Sequence, residues 1–413
     1  MKVTLVNHSD TLGGASVVTY RLMEALCRAG VDARMLVVRR ATDDCRVALA
    51  GNALTRKAAF IAEHLRIVAG NGFSRRNLFK ISIASDGLPL HRHPWIKDAD
   101  VVALNWVNQG MLSLRGIRRI AAMGKPVVWT MHDMWCMTGV CHHAGDCEGF
   151  LRDCGNCPLI KDGKDARDMS RSTFRRKERL YDRVSLHFVA VSRWLASRAK
   201  DSALLRDEDV CVIPNAFPVA EFPLTPSLSR AELGLPEGKR LIVMGAARLD
   251  DPIKGLPVAV EALNILADKG CDAVAVFYGA MRDPAALDGL RLPHISLGTI
   301  SDRRRLASLY AHADAVISTS QYETLPGTLI EGMAAGCVPV TFGRGGQADI
   351  VDHLDTGYIA RYGDPVDFAS GIEFALGCAD EDRDRRSATV ADRFSDAAIA
   401  SKYIDLFNRL LQK

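Results

Sequence analysis

The sequence predicts an α/β protein of two parallel-sheet domains facing each other across a cleft. Three observations lead there. Short β-branched runs alternate with longer helical patterns along the whole chain, as strands joined by helical crossovers do. The alternation begins afresh in the second half. Between the halves lies Ile213-Pro214-Asn215-Ala216-Phe217-Pro218, followed by prolines at 223 and 226, a stretch suited to a linker. At 413 residues the chain exceeds one ordinary core and suits two or three domains.

In the first half the expected strands are residues 3–7, 35–39, 101–106, 126–132, 188–192 and 210–214. The clearest helix between them is 15–29, with Val17, Val18, Leu22, Ala25 and Leu26 on one face. In the second half, 240–246, 273–278, 294–297, 315–319 and 338–342 are near-continuous apolar runs, as strands buried on both faces are. The expected division is residues 1–217 as a first domain with a Cys-rich insertion at 136–157, 218–394 as a second, and a terminal helix in 395–413 that folds back toward the first domain. Ligands bind at the carboxyl ends of strands in such sheets. The loops there carry the functional reading.

Composition narrows the classes. Hydrophobic residues at 48% and charged residues at 25% are ordinary for a soluble protein, and a net charge of +4 over this length does not suggest a nucleic-acid binder. The opening MKVTLVNHSD lacks a basic segment followed by a long apolar run, so it reads as a buried strand and not as a signal peptide. No run approaches the ~18–20 apolar residues of a spanning helix. The eleven cysteines, an odd number, are expected as reduced thiols in a cytoplasmic protein.

Two loops have the makings of anion sites. Gly13 and Gly14, in Thr11-Leu12-Gly13-Gly14-Ala15-Ser16, permit a tight turn and offer helix-start N–H groups, although a plain strand–helix turn would look the same. Arg248 and Lys254, in Arg248-Leu249-Asp250-Asp251-Pro252-Ile253-Lys254-Gly255, follow a buried strand and suit a diphosphate, the Arg as a fork and the Lys as a point charge. Their bland alternative is solvated surface charge.

The most informative stretch is Glu323-Thr324-Leu325-Pro326-Gly327-Thr328-Leu329-Ile330-Glu331. A strand ends before it, a helix is expected to begin near Gly327, and Glu331 then lies about one turn inside. The first carboxylate can meet a ligand at the loop, the second a diol on the same ligand, and helix N–H groups a phosphate. Two solvated helix-start carboxylates are the alternative. Small residues crowd the loop, as close approach of a ligand requires.

With these residues the chain resembles glycosyltransferase family 4, whose members carry two glutamates separated by seven residues in this loop. Glu323 and Glu331 match that pair, Arg248 and Lys254 the phosphate-clamping residues, and Gly13 and Gly14 the N-terminal loop. Val191-Ser192 and Ile213-Pro214-Asn215 also resemble family landmarks, although Ala216 replaces the usual Gly. The resemblance implies the GT-B architecture of two Rossmann-like domains. It also implies a nucleotide-sugar donor bound by residues 218–394, with 1–217 on the acceptor side, retention of anomeric configuration through a front-side displacement, and no metal in catalysis. It gives His132, which follows the strand core 126–129, a contact with the donor sugar. It assigns the sugar hydroxyls to Glu323 and the ribose to Glu331, and makes Thr324, Leu325, Gly327 and Thr328 donor-binding residues. A structural His at a strand end is the other reading of position 132, and Asp133 is expected to orient the loop.

Cys136, Cys141, Cys147, Cys154 and Cys157 cluster within 22 residues. Cys154-Gly155-Asn156-Cys157 has the spacing of a metal knuckle, and Cys141 with Cys147 can complete a tetrahedral structural zinc site. Free thiols or disulfides are the other readings. The stretch from His132 through Pro158 resembles a subset of bacterial polysaccharide-assembly glycosyltransferases. Residues 56–80 hold six Lys or Arg against one acid, with Ala58, Ile61, Leu65 and Val68 at helical spacing, and 161–183 holds nine basic residues against five acids. Both suit an anionic membrane surface, and equally a solvated helix face. On the membrane reading the acceptor is a lipid-linked glycan, and otherwise a saccharide. A sugar-nucleotide hydrolase or epimerase and a non-catalytic scaffold are the competing functions.

Overall fold

The computed structural model describes residues 1–161 and 166–412. The chain forms two compact units, Met1–Ala216 with Ile399–Lys413, and Phe217–Ala398.

The first unit is a seven-stranded sheet made of β1 (Lys2–Val6), β2 (Asp32–Val37), β3 (Val47–Leu49), β4 (Val101–Leu104), β5 (Val127–Met131), β6 (His187–Ala190) and β7 (Val210–Val212), in spatial order β3-β2-β1-β4-β5-β6-β7. Each neighbouring pair is parallel. Residues in β1, β4 and β5 are buried on both faces, which explains their unbroken apolar runs. Three helices of this unit border its functional loops and surfaces: α1 (Gly14–Arg28), α2 (Ala53–Gly70) and α3 (Met169–Tyr181).

The second unit carries β8 (Arg240–Arg248), β9 (Ala273–Ala280), β10 (His294–Ser296), β11 (Ala315–Ser318), β12 (Val338–Phe342) and β13 (Tyr358–Ala360), again all parallel, in order β10-β9-β8-β11-β12-β13. Helices α4 (Leu256–Asp268) and α5 (Gly327–Ala334) follow the loops that leave β8 and β11. One core joins Leu263 and Leu266 of α4 to Ile242, Phe277, Val340 and Phe368.

The last helix, α6 (Asp396–Leu411), lays Ile399, Ala400, Tyr403, Leu406, Phe407 and Leu410 into the core of the first unit, against Val3, Leu5, Val128 and Val189. The Tyr403 hydroxyl meets Thr130 Oγ1 at 2.9 Å. Two strands escaped the sequence reading, β3 and β13. Each has three residues at a sheet edge, too short to show a periodicity.

Phe407 is fully buried, so truncation leaves a cavity in the first unit. Phe407→Ala is expected to destabilise that unit by about 3–5 kcal/mol, read as a lowered urea midpoint of its unfolding transition.

Candidate functional site

In each unit the chain first builds the sheet outward on one side, then returns to extend the other. The turning points fall between β1 and β4 and between β8 and β11. Loops leaving those strands at their carboxyl ends have no crossover connection covering the gap between them, and a ligand enters there.

In the second unit Arg248 ends β8. Its guanidinium pairs with Asp251 at 2.8 Å and lies 3.5 Å from Asp250 Oδ1. The other Asp250 oxygen accepts the N–H groups of Arg282 and Asp283 at 2.9 and 3.1 Å, so backbone donors fix its carboxylate. The chain then makes a 3-10 turn, Pro252–Lys254, and reaches Gly255 at φ 66°. A Cβ there would stand 2.2 Å from the Thr319 carbonyl oxygen, so only glycine lets the two loops touch. Thr319 Oγ1 donates to the Lys254 carbonyl at 3.0 Å and the Gln321 N–H to that of Ile253 at 2.8 Å. The loops after β8 and β11 are thereby laced together, and the Lys254 ammonium donates to Glu323 Oε1. Ser320 Oγ donates to the same oxygen at 3.2 Å. Behind the glutamate, the Gly346 N–H donates to the Glu323 carbonyl at 2.7 Å, beside Gly345, whose φ of 90° and close approach to Glu323 backbone again require glycine.

Helix α5 follows at once, and no side chain caps its N-terminus. Thr324, Gly327 and Thr328 are part-exposed around that end, whereas Leu325 is buried, so its side chain serves the core. Glu331 projects from the second turn of α5. Its charge reaches the hydroxyls of Tyr278 and Tyr310, which lie 2.6 Å apart; burial and that charge together push both phenols up. Tyr278 can lie flat there because Gly245 has no side chain.

In the first unit Gly13 takes φ 92° at the start of α1, a conformation glycine adopts freely, and again no side chain caps the helix. Asp10 holds the preceding loop by accepting the N–H groups of Ala41 and Thr42 and the Thr42 hydroxyl. His132 follows β5 directly, and its Nε2 lies 3.0 Å from Asn105 Oδ1, just past β4. That amide oxygen can only accept, so Nε2 carries the hydrogen and Nδ1 keeps a lone pair. Burial lowers His132 to about 4, although the neighbouring Asp133 works the other way. Asp133 accepts from Trp106 Nε1 at 2.9 Å, from His142 Nδ1 at 2.7 Å and from the Trp135 N–H at 2.8 Å. Burial opposes its charge, but His142, the Trp135 N–H and His143 hold it at about 2. In the same unit a cavity of about 250 Å³ is lined by His8, Val38, Arg39, Arg56, Phe60, Gln109 and Gly110.

The cysteine segment runs from two short 3-10 turns into α3. Cys141, Cys147, Cys154 and Cys157 all line one small cavity of about 20 Å³. Burial pushes Cys141 up to about 12 and Cys154 up to about 11. Among the described residues, no three His, Cys, Asp or Glu side chains are drawn together as metal ligands are.

The structure thus places Lys254 on Glu323, Arg248 at the end of the neighbouring strand, and Glu331 on the helix that follows the Glu323 loop. His132, Gly13 and Gly14 belong to the other unit. The sequence reading gave no role to Asn105 and Trp106, which set the tautomer of His132 and anchor Asp133, or to Ser320, which orients Glu323, and it set His142 beside the cysteines and not on Asp133. Asn105 and Trp106 carried one usable signal: they end a buried strand next to the one that presents His132.

His8 is also lowered to about 4 by burial. The unfolded chain takes up protons on both rings below about 6.5, while the folded chain does not until about 4. Their contribution is therefore full above pH 6.5 and is lost as pH falls through that window, by up to about 2 kcal/mol per ring at pH 5. The double variant His8→Gln/His132→Gln is expected to lose less melting temperature between pH 7.5 and pH 5 than the wild type.

Comparison with known proteins supplies the family. The family described as Glycosyltransferase Family 4 matches residues 12–221, and that described as Glycosyl transferases group 1 matches 227–391. Spore coat protein SA of Bacillus subtilis (strain 168) is 28% identical over 165 residues, 37% of this chain and 43% of that protein, so the chain spans less than half of this relative's length. Among solved structures, Anabaena HepE in complex with UDP-glucose superposes with a TM-score of 0.61 at 17% identity, covering 99% of this chain and 100% of HepE. The lipopolysaccharide outer core galactosyltransferase WaaB superposes at 0.63 and 14%, with 99% and 100% covered. At such identities the likeness shows the fold, GT-B with two Rossmann-like units. With the family 4 pattern covering half of its length and the group 1 pattern most of the rest, the chain belongs to glycosyltransferase family 4.

Proposed function

We propose that the chain moves a hexose from a nucleoside diphosphate sugar to a lipid-linked glycan acceptor during assembly of a surface polysaccharide, with retention of anomeric configuration. The observation that carries this reading is the Lys254–Glu323 pair, built by glycine contacts at the carboxyl edge between β8 and β11. HepE, of the same fold, is described in complex with UDP-glucose, and WaaB as a lipopolysaccharide outer core galactosyltransferase.

In this mechanism the donor diphosphate lies against the uncapped start of α5, and Arg248 and Lys254 supply positive charge as it departs. No divalent ion is needed for that neutralisation. Glu323 binds sugar hydroxyls and stabilises positive charge developing at the anomeric carbon, while Glu331 takes the ribose diol. His132, neutral and with its Nδ1 lone pair available, accepts from a sugar hydroxyl. The leaving phosphate oxygen takes the acceptor proton as the acceptor attacks from the same face. Residues 218–394 thereby serve the donor and 1–217 the acceptor, and the cavity beside His8, Arg39 and Arg56 offers cationic groups to an acceptor phosphate.

Placement at a membrane rests on α2 and the segment after it. The stripe holding Ala58, Ile61 and Leu65 faces solvent, whereas Glu63 is fully buried and accepts the N–H groups of Ile83, Ala84, Ser85 and Asp86. Leu54, Leu65, Phe73 and Phe79 are 79%, 63%, 84% and 64% exposed, among Lys57, Arg66, Arg75, Arg76 and Lys80. Such a surface suits the inner, anionic face of the cytoplasmic membrane. Within the second basic stretch, 162–165 lie outside the described residues. No helix among the described residues is long and apolar enough to cross a membrane.

Glu323→Ala is expected to lower kcat/KM for transfer at least about 100-fold, roughly 2.7 kcal/mol, with an unchanged melting temperature. Donor consumption that proceeds equally without any glycan acceptor would instead identify a hydrolase or epimerase. In flotation assays the protein should rise with vesicles containing anionic lipid and not with neutral ones, and Leu65→Glu/Phe73→Glu/Phe79→Glu should stay at the bottom. Equal partition onto both vesicle types would remove the membrane assignment.

A further inference from the structure

We propose that Cys141, Cys147, Cys154 and Cys157 together bind one structural Zn²⁺ as thiolates. The first observation is their placement: four cysteines separated by up to 16 positions line the same small cavity, closed by Thr138, Val140 and Phe150. A space of about 20 Å³ is on the scale of a single small guest.

The second is the backbone around the sulfurs. The Gly139 N–H donates to Cys154 Sγ at 3.2 Å, the kind of bond that supports a thiolate, and Gly139 is pinned there because a Cβ would stand 2.4 Å from the Ser170 carbonyl oxygen. Between Cys154 and Cys157 the turn passes through Asn156 at φ 49°, and Asp168 fixes its end by accepting the Cys157 N–H at 2.8 Å. A two-residue spacer closed by a left-handed residue is the shape of a metal knuckle.

The third is a buried lysine with no carboxylate in contact. Lys177 is wholly buried, and its ammonium donates only to the carbonyl oxygens of Trp135 and Thr138 while lying 3.5 Å from the centre of the Trp135 ring. Among the described residues no carboxylate forms an ion pair with it, and burial lowers it to about 7 although the charge of Asp133 works the other way. Burial of a lone ammonium is costly unless opposite charge stands close by. Four thiolates on Zn²⁺ carry a net charge of −2 and supply it.

The fourth is the sparse regular structure of the segment. Residues 136–157 have short 3-10 turns and one antiparallel bridge, Cys141 to Ile81, and the local core is small: Val140, Cys157 and Ile160 against Ile67, Ile81 and Ile83. A metal would cross-link such a segment. Binding converts four thiols and Zn²⁺ into one tetrathiolate centre and four protons released to solvent, with no change of oxidation state, and it draws the sulfurs inward from the cavity walls. Because His142 adjoins Cys141 and holds Asp133 beside His132, the metal also steadies the loop that presents His132.

The test is elemental analysis of full-length protein purified under reducing conditions, and again after metal-free protein is incubated with zinc alone. About one equivalent of zinc is expected, lost in Cys154→Ser and Cys157→Ser and kept in Cys45→Ser, whose thiol is exposed elsewhere. Zinc-edge X-ray absorption of the wild type, which needs no variant to fold, should show a shell of four sulfurs at about 2.3 Å. Less than about a tenth of an equivalent before and after zinc addition, iron in place of zinc, or a shell of nitrogen and oxygen would each overturn the proposal. None of these readouts depends on transferase activity.

Discussion

Parallel strands deliver every strand-to-helix loop to one edge of the sheet, and where the strand order reverses, two such loops stand side by side with no crossover connection covering the gap between them. In the second unit the whole candidate site hangs on one contact across that gap, Gly255 against the carbonyl of Thr319. Because no side chain intervenes, two hydrogen bonds to backbone carbonyls lace the loops and bring Lys254 onto Glu323, residues 69 positions apart. Arg248 gains its place from ending β8, and the uncapped start of α5 from following β11. A larger residue at 255 would part the loops and separate the charges, whatever its own polarity.

The first unit uses burial in place of paired charge. His132 stays neutral because desolvation outweighs the nearby Asp133, and Asn105 decides which ring nitrogen keeps its lone pair. Asp133 accepts from three donors, Trp106, Trp135 and His142, and the last two together with His143 keep it ionised. One of them comes from the cysteine segment, so that segment is mechanically joined to the strand-end loop although it contributes nothing to the sheet. The α2 helix shows the same economy of placement in reverse: a carboxylate lies inside because four backbone N–H groups await it, and leucine and phenylalanine lie outside where soluble proteins rarely gather them.

What the sequence by itself determined was local. Apolar runs located eleven of the thirteen strands among the described residues, because strands buried on both faces leave a continuous record. The glycine positions and the Glu323–Glu331 spacing marked the loops, because a tight turn or close approach excludes other residues at the position itself. The terminal helix was also legible from its own periodicity. Tertiary structure alone decided what meets what. The Lys254–Glu323 pair, the Asn105 partner of His132, the solvent-facing side of α2 and the shared cavity of four cysteines all depend on residues distant in sequence. Edge strands β3 and β13 exist only because a neighbour offers hydrogen bonds. A chain records the preferences of each residue for its surroundings; which surroundings it receives is settled by the order in which parallel strands are laid down.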